Sequence, residues 1–240
     1  DSRVVVGARV GEDAAVVDLG DRYLVAKSDP ITFATDRIGW YAVHVNANDI
    51  ATRGAAPRWL LATVLLPEGR ATKAMAAAIM EQMGAACREL GVSLIGGHTE
   101  VTGGLERPIV VGHMLGEVAH DGLVTTGGAH IGDLLVLVGA IAIEGTALIA
   151  RECGDEARRR GVTEEILAAA RQTLDTPGIS VVRPALLAAG CGGVHAMHDP
   201  TEGGLATGLH EMAWASDVGL VVEGDRIPVL PACTELCAAF

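Results

Sequence analysis

Aromatic and basic residues are scarce in this chain of 240 residues. Phe, Trp and Tyr together make up 3% of it, although 50% of the chain is hydrophobic, so the core must consist mainly of Ala, Val, Leu and Ile. There are 18 Lys and Arg residues against 30 Asp and Glu residues, which gives a formal net charge of −12. This charge repels a nucleic-acid backbone, and we expect no nucleic-acid partner. It also disfavours a free triphosphate unless divalent cations bridge carboxylates to phosphates.

Cysteine pairs and long apolar runs are also missing. The five cysteines include no C-x-x-C pair, so neither a disulfide framework nor a zinc ribbon is indicated. Cys233 and Cys237 have a spacing that could hold a metal, but small buried hydrophobes are the commoner use of such residues. No segment has the roughly 20 apolar residues of a membrane span, and the first residues do not resemble a signal peptide. We expect a soluble cytoplasmic protein with no membrane partner.

The glycine-rich signatures of three common enzyme classes are absent as well. There is no GxxxxGK(S/T) loop, GxGxxG fingerprint or GxSxG elbow, so the P-loop, dinucleotide and α/β-hydrolase classes lack their motifs. Three acidic, glycine-flanked segments are present instead: GEDAA (11–15), NDIATRGAAP (48–57) and HDPTEGG (198–204). Aspartates beside glycines and helix starts suit metal ions and phosphate oxygens, so we hypothesise a magnesium-nucleotide site.

Runs of β-branched residues alternate with alanine-rich runs, which predicts an α/β or α+β fold. Predicted strands cover residues 23–28, 58–66, 92–95, 108–118 and 134–139, and predicted helices cover residues 37–53, 72–90, 143–174 and 205–215. Thr72 and Gly91 are suited to cap the second of these helices. The charged run at 155–160 predicts a solvated face with local ion pairs. Turn-forming residues at 120–132 indicate a boundary between a domain at 1–119 and another at 120–240.

Two aspartates flank the first predicted strand. Asp13 lies in a glycine turn before an apolar run, and Asp29 directly follows the strand at 23–28, where Pro30 is expected to block its continuation. Each is a candidate metal ligand. Each could equally be an ordinary turn or cap aspartate.

Asn46, Asp49 and Arg53 are spaced three and four apart, so they share one face of an otherwise apolar helix. Burial of an unpaired carboxylate costs several kcal/mol, so Asp49 needs a cation or several donors nearby. A metal ion would meet this need. The alternative is an internal salt bridge to Arg53, four residues further along.

The segment LIGGHTEV (94–101) is an apolar strand that runs into two glycines. Phosphate could approach Gly96 and Gly97 closely because neither has a side chain. His98 could ligate a metal, hydrogen-bond to a phosphate or simply close a turn, and Glu100 is a further candidate ligand.

The segment HDPTEGGL (198–205) leads directly into a predicted helix. Thr201 or Asp199 could cap that helix, whose N-terminus would face the loop. Asp199, Glu202, Gly203 and Gly204 together exceed what a cap requires. A magnesium-phosphate group would satisfy both the carboxylates and the free N–H groups, which favours a functional interpretation.

Taken in order, these motifs resemble the superfamily of aminoimidazole ribonucleotide (AIR) synthetase, selenophosphate synthetase, thiamin-monophosphate kinase and the hydrogenase maturation factor HypE. The resemblance covers nearly the whole chain, including the strand-like segment at 219–229. It implies a two-domain PurM-like fold: an N-terminal α/β domain that forms a β-barrel shared by a homodimer, and a C-terminal α/β domain that is shorter here than in the family. ATP would lie in the cleft, and the protein would bind the phosphates of ATP through Mg²⁺.

Carried over by position, the resemblance assigns metal binding to Asp13, Asp29, Asp49 and Asp199. It assigns contacts with the nucleotide to Asn48, Gly96, Gly97, His98, Thr99, Glu100, Asp199, Thr201, Glu202, Gly203 and Gly204. His98 stands where the hydrogenase and thiamin branches typically have Asp, which puts direct metal ligation there in doubt.

The chemistry implied by the family is phosphorylation of a carbonyl, amide or carboxamide oxygen by ATP, which makes that oxygen a good leaving group. No nucleophile is then required from the protein, and no catalytic residue is assigned. The acceptor would be a small molecule or a protein tail, as in HypE-like members. Two alternatives stay open: a small-molecule kinase of the thiamin-monophosphate type, and a non-catalytic scaffold that binds ATP.

Overall fold

The computed structural model of the protein describes residues 1–34 and 36–240. The strands are β1 Val4–Val6, β2 Ala15–Asp18, β3 Tyr23–Ile31, β4 Ala56–Pro67, β5 Ser93–Thr102 and β6 Ile109–Val118. The α-helices are α1 Ile38–Ala51, α2 Lys73–Leu90, α3 Ile143–Glu152, α4 Gly154–Arg159, α5 Glu164–Gln172, α6 Val182–Cys191, α7 Gly204–Ser216 and α8 Pro231–Ala239. The mixture of strands and helices confirms the predicted α/β class.

The chain divides into two compact units. The first comprises residues 1–130, 180–199 and 210–218, and the second comprises residues 131–179, 200–209 and 219–240. Parts of the C-terminal half therefore pack with the N-terminal half. The domain boundary at residue 119/120 stays a prediction.

The first unit is built on one six-stranded sheet with the order β1-β2-β3-β6-β4-β5. All neighbouring strands pair antiparallel except β4 and β5, which are parallel. Helix α1 packs on the sheet, and α2 and α6 pack against α1. Since nearly every residue of α1 is buried, this helix forms the centre of the core, and any polar group on it must find its partner inside the protein.

Local capping signals place α2 where the sequence predicts it. The Thr72 side chain accepts a hydrogen bond from the backbone N–H of Met75, and Gly91 ends the helix in a left-handed conformation with φ of 69°. None of the helices in the described part of the chain combines the length and apolar character that a membrane crossing requires.

Strand β3 is longer than predicted and includes Asp29 and Pro30. The expectation that Pro30 ends the strand is wrong, because Pro30 pairs in register with Val111 of β6. Strand β2 reaches only to Ala26 of β3, so no second strand pairs with β3 beside Pro30. A proline is tolerated there because its missing N–H faces an unpaired edge.

Strand β5 also continues beyond its predicted end at residue 95, through both glycines to Thr102. The pairing of β4 with β5 shifts register between Leu60 and Leu61, so Ala62 lies opposite Gly97. A Cβ on Gly97 would lie 1.9 Å from the carbonyl oxygen of Ala62. Only glycine allows the two strands to approach this closely.

Three helices occupy the region predicted as one helical stretch at 143–174. Leu167, Ala170 and Leu236 lie in the small buried cluster that holds α3, α5 and α8 together. The charged run at 155–160 forms ion pairs on the surface of α4: Asp155 with Arg158, and Glu156 with both Arg159 and Arg160. This confirms the predicted solvated face.

The strand predicted at 134–139 is wrong, and the strand-like segment at 219–229 also lacks regular strand structure. Val229, in the second of these segments, forms an isolated bridge with Ile141, two residues beyond the first. Leu134 is 91% exposed and Val221 is 96% exposed. A β-branched run becomes a strand only when a neighbouring strand satisfies its backbone groups, and the described residues of the second unit provide no such neighbour.

Candidate functional site

Four carboxylates that are far apart in the sequence lie in the same region of the first unit, although no three of them offer oxygens that all lie within 4.8 Å of one another among the described residues. Asp13 precedes β2, Asp29 lies in β3, Asp49 lies in the last turn of α1, and Asp199 follows the segment bridged at Ala196. The charges of Asp13 and Asp199 act on Asp49, which places all three within electrostatic range. We call Asp13, Asp29, Asp49 and Asp199 the acidic cluster.

Asp49 is the most buried member of the acidic cluster, with 3% of its surface exposed. Burial raises the pKa of Asp49 to about 8, against the attraction of Lys27, and the charges of Asp13 and Asp199 raise it further. The Lys27 Nζ lies 3.0 Å from Asp49 Oδ2. The two groups form a close ion pair that lowers the pKa of Asp49, but the angles at Oδ2 are not those of a well-formed hydrogen bond among the described residues.

The side chain of Asp199 is hydrogen-bonded to the side chain of Asn48. Burial raises the pKa of Asp199 to about 6, with a further increase from the charge of Asp13. A hydrogen bond with the Asn48 side chain and the charges of His198 and Lys27 act in the opposite direction. Asn48 Oδ1 also accepts a hydrogen bond from the Val181 backbone N–H at 2.8 Å. Asn48 thus links α1 to two segments from later in the chain.

Asp29 is placed by its backbone. The Asn46 side chain donates hydrogen bonds to the carbonyl oxygens of Ala42, at 2.9 Å, and Asp29, at 3.3 Å. A Cβ on Gly112 would lie 2.3 Å from Asn46 Nδ2, so glycine at that position of β6 makes room for the amide. Asn46 and Asp49 therefore do share a buried face of α1. The hydrogen bond from Asn46 fixes the position of the Asp29 backbone relative to this helix.

His198 connects Asp13 to Glu211 on α7. Its Nδ1 lies 2.8 Å from Asp13 Oδ2, and its Nε2 lies 2.9 Å from Glu211 Oε2. Burial alone would lower the pKa of His198, but the hydrogen bonds and charges of Asp13 and Glu211 outweigh burial and raise it. When it is protonated, His198 compensates part of the negative charge around Asp13.

Arg53 does not form the salt bridge to Asp49 that its spacing suggested. The helix ends at Ala51, and the fully buried guanidinium of Arg53 instead pairs with Glu12 and donates hydrogen bonds to Thr126 Oγ1 and the Met197 carbonyl, both at 2.9 Å. This correction removes the alternative partner of Asp49 and leaves Lys27 in that role. Arg53 ties the Glu12 segment to the segment that precedes His198.

The segment at 96–100 lies elsewhere in the first unit. Asp29 pairs with Gly112, Gly112 with Ala62, and Ala62 with Gly97, so Asp29 and Gly97 occupy one row of the sheet, three strands apart. At a strand spacing of about 4.8 Å this separates them by about 14 Å. Gly96, Gly97, His98, Thr99 and Glu100 are exposed on the edge strand β5, where His98 Nε2 lies 3.3 Å from Glu100 Oε2. Their contact with a nucleotide stays a prediction.

The remaining predicted residues, Thr201 to Gly204, belong to the second unit. The Thr201 hydroxyl donates a hydrogen bond to Glu202 at 2.8 Å. A Cβ on Gly203 would lie 2.1 Å from the Thr207 hydroxyl oxygen, and both Gly203 and Gly204 have positive φ. Glycine is thus required where the chain turns into α7. The proposed roles of these residues toward a ligand stay predictions.

Lys27 and Glu12 are functional candidates that the sequence reasoning missed. A signal for Lys27 was available: it lies two residues before Asp29 in a strand, and such residues project from the same face. For Glu12 no local signal distinguishes it from a turn residue, since its partner Arg53 is 41 positions away.

The acidic cluster has the donor chemistry that a hard divalent cation requires, although its side chains would have to move closer together to surround one. Carboxylate oxygens are the ligands that Mg²⁺ prefers. Asp49 Oδ2 is buried without a hydrogen-bond partner among the described residues, which is the condition that a metal ion would relieve.

The sheet, and the helices that pack on it, define a PurM-like α/β fold. The family model for the N-terminal domain of AIR synthase related proteins matches residues 11–118, and the one for their C-terminal domain matches residues 130–236. The chain belongs to the AIR synthase related family.

Curated and solved relatives agree with this assignment. The carbamoyl dehydratase HypE of Cupriavidus necator is 32% identical over 95% of this chain, which spans 64% of that relative's length. A crystal structure of the hydrogenase maturation protein HypE in complex with ATP has a TM-score of 0.75 and 27% identity, and the match covers 94% of this chain and 65% of that one. The thiamine monophosphate kinase of Aquifex aeolicus has a TM-score of 0.77 over 94% of this chain and 74% of its own; at 19% identity this shows a common fold alone.

Proposed function

We propose that this protein is a Mg²⁺- and ATP-dependent enzyme that phosphorylates a carbonyl, amide or carboxamide oxygen and so activates it. The observation that carries the proposal is the acidic cluster, in which Asp49 is buried, lacks a hydrogen-bond partner for Oδ2 among the described residues, and has its pKa raised to about 8. A buried carboxyl group with a strongly raised pKa is typical of a functional site.

In this proposal Asp13, Asp29, Asp49 and Asp199 hold Mg²⁺, which neutralises charge on phosphoryl oxygens. Asn48 orients Asp199, and His198 orients Asp13 through the contact of 2.8 Å. Since the chain carries a net charge of −12, the carboxylates alone would repel a nucleotide, and the metal is required for its binding.

The relatives support this type of reaction. The ATP complex is that of a HypE, and the curated relative is a carbamoyl dehydratase, a name that describes removal of water from a carbamoyl group. Once ATP has phosphorylated the carbonyl oxygen, that oxygen leaves as inorganic phosphate, and the acceptor has lost the elements of water overall. The chain spans about two thirds of that relative's length, so the acceptor used by this protein is part of the proposal.

We also propose that the protein is a homodimer. Strand β5 is an edge strand in which most side chains are exposed, including the apolar Ile95 and Val101. Exposed edges with apolar side chains are surfaces that proteins cover by pairing. Sedimentation of the wild type and Ile95→Lys tests this, since a monomeric wild type would contradict it. The cytoplasmic location stays a prediction.

Substitution of the buried carboxylate tests the nucleotide site. Asp49→Asn keeps the shape of the side chain but removes the charge that a divalent cation would bind, so we expect Mg²⁺-ATP affinity to fall by about tenfold or more. Equilibrium binding with and without Mg²⁺ measures this. Asp155→Asn is a matched control, because Asp155 is an exposed carboxylate in the second unit. Equal affinity and unchanged metal dependence in Asp49→Asn would refute the assignment.

The acceptor is identified by turnover. ATP consumption is measured with a carbamoylated or carboxamide-bearing peptide, with thiamin monophosphate, and without an acceptor. Stimulation by the peptide supports the proposed reaction, whereas stimulation by thiamin monophosphate alone indicates a small-molecule kinase. Binding of ATP without turnover under any of these conditions indicates a scaffold.

A further inference from the structure

Lys27 is the cation closest to the acidic cluster, and it is an unusual residue in this chain. Only Lys27 and Lys73 are lysines among the 18 basic residues. The Lys27 Nζ lies 3.0 Å from Asp49 Oδ2 and 3.8 Å from Asp29 Oδ2, with only 18% of the side chain exposed. A single ammonium group therefore lies against two of the proposed metal ligands.

A divalent cation and this ammonium group require the same oxygens. Two positive charges within about 4 Å of each other repel strongly in a partly buried site. Asp49 Oδ2 would be a direct ligand of a metal, yet Lys27 lies 3.0 Å from that atom. The metal and the ammonium group cannot both keep these positions.

The nature of the contact makes displacement feasible. The Lys27 contact with Asp49 is electrostatic and leaves Oδ2 without a hydrogen bond from the described residues. An ammonium group is a point charge on a flexible stem, unlike the planar fork of arginine, which holds carboxylates through two parallel hydrogen bonds. Lys27 thus supplies a displaceable charge in a chain whose other basic residues are nearly all arginine.

We propose that Lys27 is a tethered counter-ion that a divalent metal ion displaces from Asp49 and Asp29. It stabilises the buried carboxylates when no metal is bound, and it weakens the binding of free metal because the metal must move it. This inference rests on the proposed function for the identity of the metal ligands. It goes further by naming the residue that sets the affinity of the site for the metal alone.

The test is the binding of Mn²⁺, without nucleotide, to the wild type and to Lys27→Met, which keeps the length of the side chain and removes its charge. We expect the dissociation constant for Mn²⁺ to fall about tenfold in Lys27→Met, because no charge has to be displaced. Electron paramagnetic resonance of free Mn²⁺ reports this directly. The titration is made at several pH values, because Lys27 lowers the pKa of Asp49 and its removal increases competition by protons.

Three further variants make the outcome specific. Lys27→Arg keeps the positive charge and introduces a planar guanidinium group that can form two hydrogen bonds with a carboxylate. This variant should therefore bind Mn²⁺ no more tightly than the wild type. Lys73→Met removes the only other lysine, which is exposed at the start of α2, and should leave Mn²⁺ binding unchanged. Lys27→Gln replaces Lys27→Met if the latter does not give the circular dichroism spectrum of the folded wild type.

The outcomes separate the two proposals. Tighter binding of Mn²⁺ in Lys27→Met but not in Lys27→Arg supports the counter-ion. Unchanged or weaker binding in Lys27→Met, with a wild type that does bind Mn²⁺, overturns the counter-ion and leaves the proposed function intact. Absence of Mn²⁺ binding in every variant overturns the counter-ion proposal, whereas the proposed function is tested separately by the Mg²⁺ dependence of ATP binding.

Discussion

At the scale of single residues, burial acts in opposite directions on two side chains of α1. It raises the pKa of Asp49 to about 8 and lowers the pKa of His44 to about 4. Both shifts have one cause, since a low-dielectric environment disfavours the charged form of either group. The difference lies in the surroundings: Asp49 faces Lys27 and other carboxylates, whereas the nitrogens of His44 have no hydrogen-bond partner among the described residues.

The depressed pKa of His44 predicts sensitivity of the fold to acid. In the unfolded chain the imidazole takes up a proton below its ordinary pKa of 6.5, but in the folded protein only below about 4. The contribution of His44 is therefore present above pH 6.5 and is lost as the pH falls toward 4, by about 3 kcal/mol in total. In His44→Phe, the loss of unfolding free energy between pH 7 and pH 4.5 should be smaller by about 2 kcal/mol. Urea unfolding at both pH values measures this.

A variant of an exposed histidine provides the control for that experiment. His210 is exposed on α7, and His210→Phe should show the same acid dependence as the wild type. If His44→Phe and His210→Phe lose equal stability on acidification, the acid sensitivity does not arise at His44.

At the scale of elements, local signals predict a structure well when the partners are also local. Thr72 and Gly91 cap α2 through contacts within the helix and its ends, so the sequence suffices to predict its bounds. The apolar run at 134–139 has an equally clear local pattern, yet it forms no strand, because its state depends on a partner that the pattern does not contain. In the same way Asp49 could be predicted to need a cation, but not that Lys27 of β3 supplies it.

Strand β5 gives a prediction of its own at this scale. Gly97→Ala places a Cβ against the Ala62 carbonyl and should lower the unfolding free energy by about 1–3 kcal/mol. Gly96→Ala meets nothing closer than Leu61 Cδ2, at 3.8 Å, and should cost less. The urea unfolding midpoints of the two variants measure these losses. A larger loss in Gly97→Ala means that the fold, and not only contact with a ligand, requires glycine at position 97. Equal losses would mean that the approach of β4 and β5 is not what requires glycine at 97.

At the scale of the whole molecule, net charge and local chemistry favour the same ligand. A chain with a charge of −12 repels polyphosphates, and its acidic cluster adds four carboxylates at one place. Lys27, Arg53 and His198 lie against the acidic cluster, with Arg53 Nη2 3.7 Å from Asp13 Oδ2. The fold and family of the chain are those of proteins that include an ATP-bound HypE. In the proposed function, a nucleotide binds here together with a divalent cation.

The metal dependence of ATP binding therefore tests the central claim most directly. Calorimetric titration of the protein with ATP is carried out with Mg²⁺ in excess and again with the metal removed by a chelator. We predict binding in the presence of Mg²⁺ and an affinity at least about tenfold lower without it, a difference of about 1.4 kcal/mol in binding free energy. Equal affinity under both conditions, or no binding under either, would contradict the claim that the acidic cluster is a magnesium-nucleotide site.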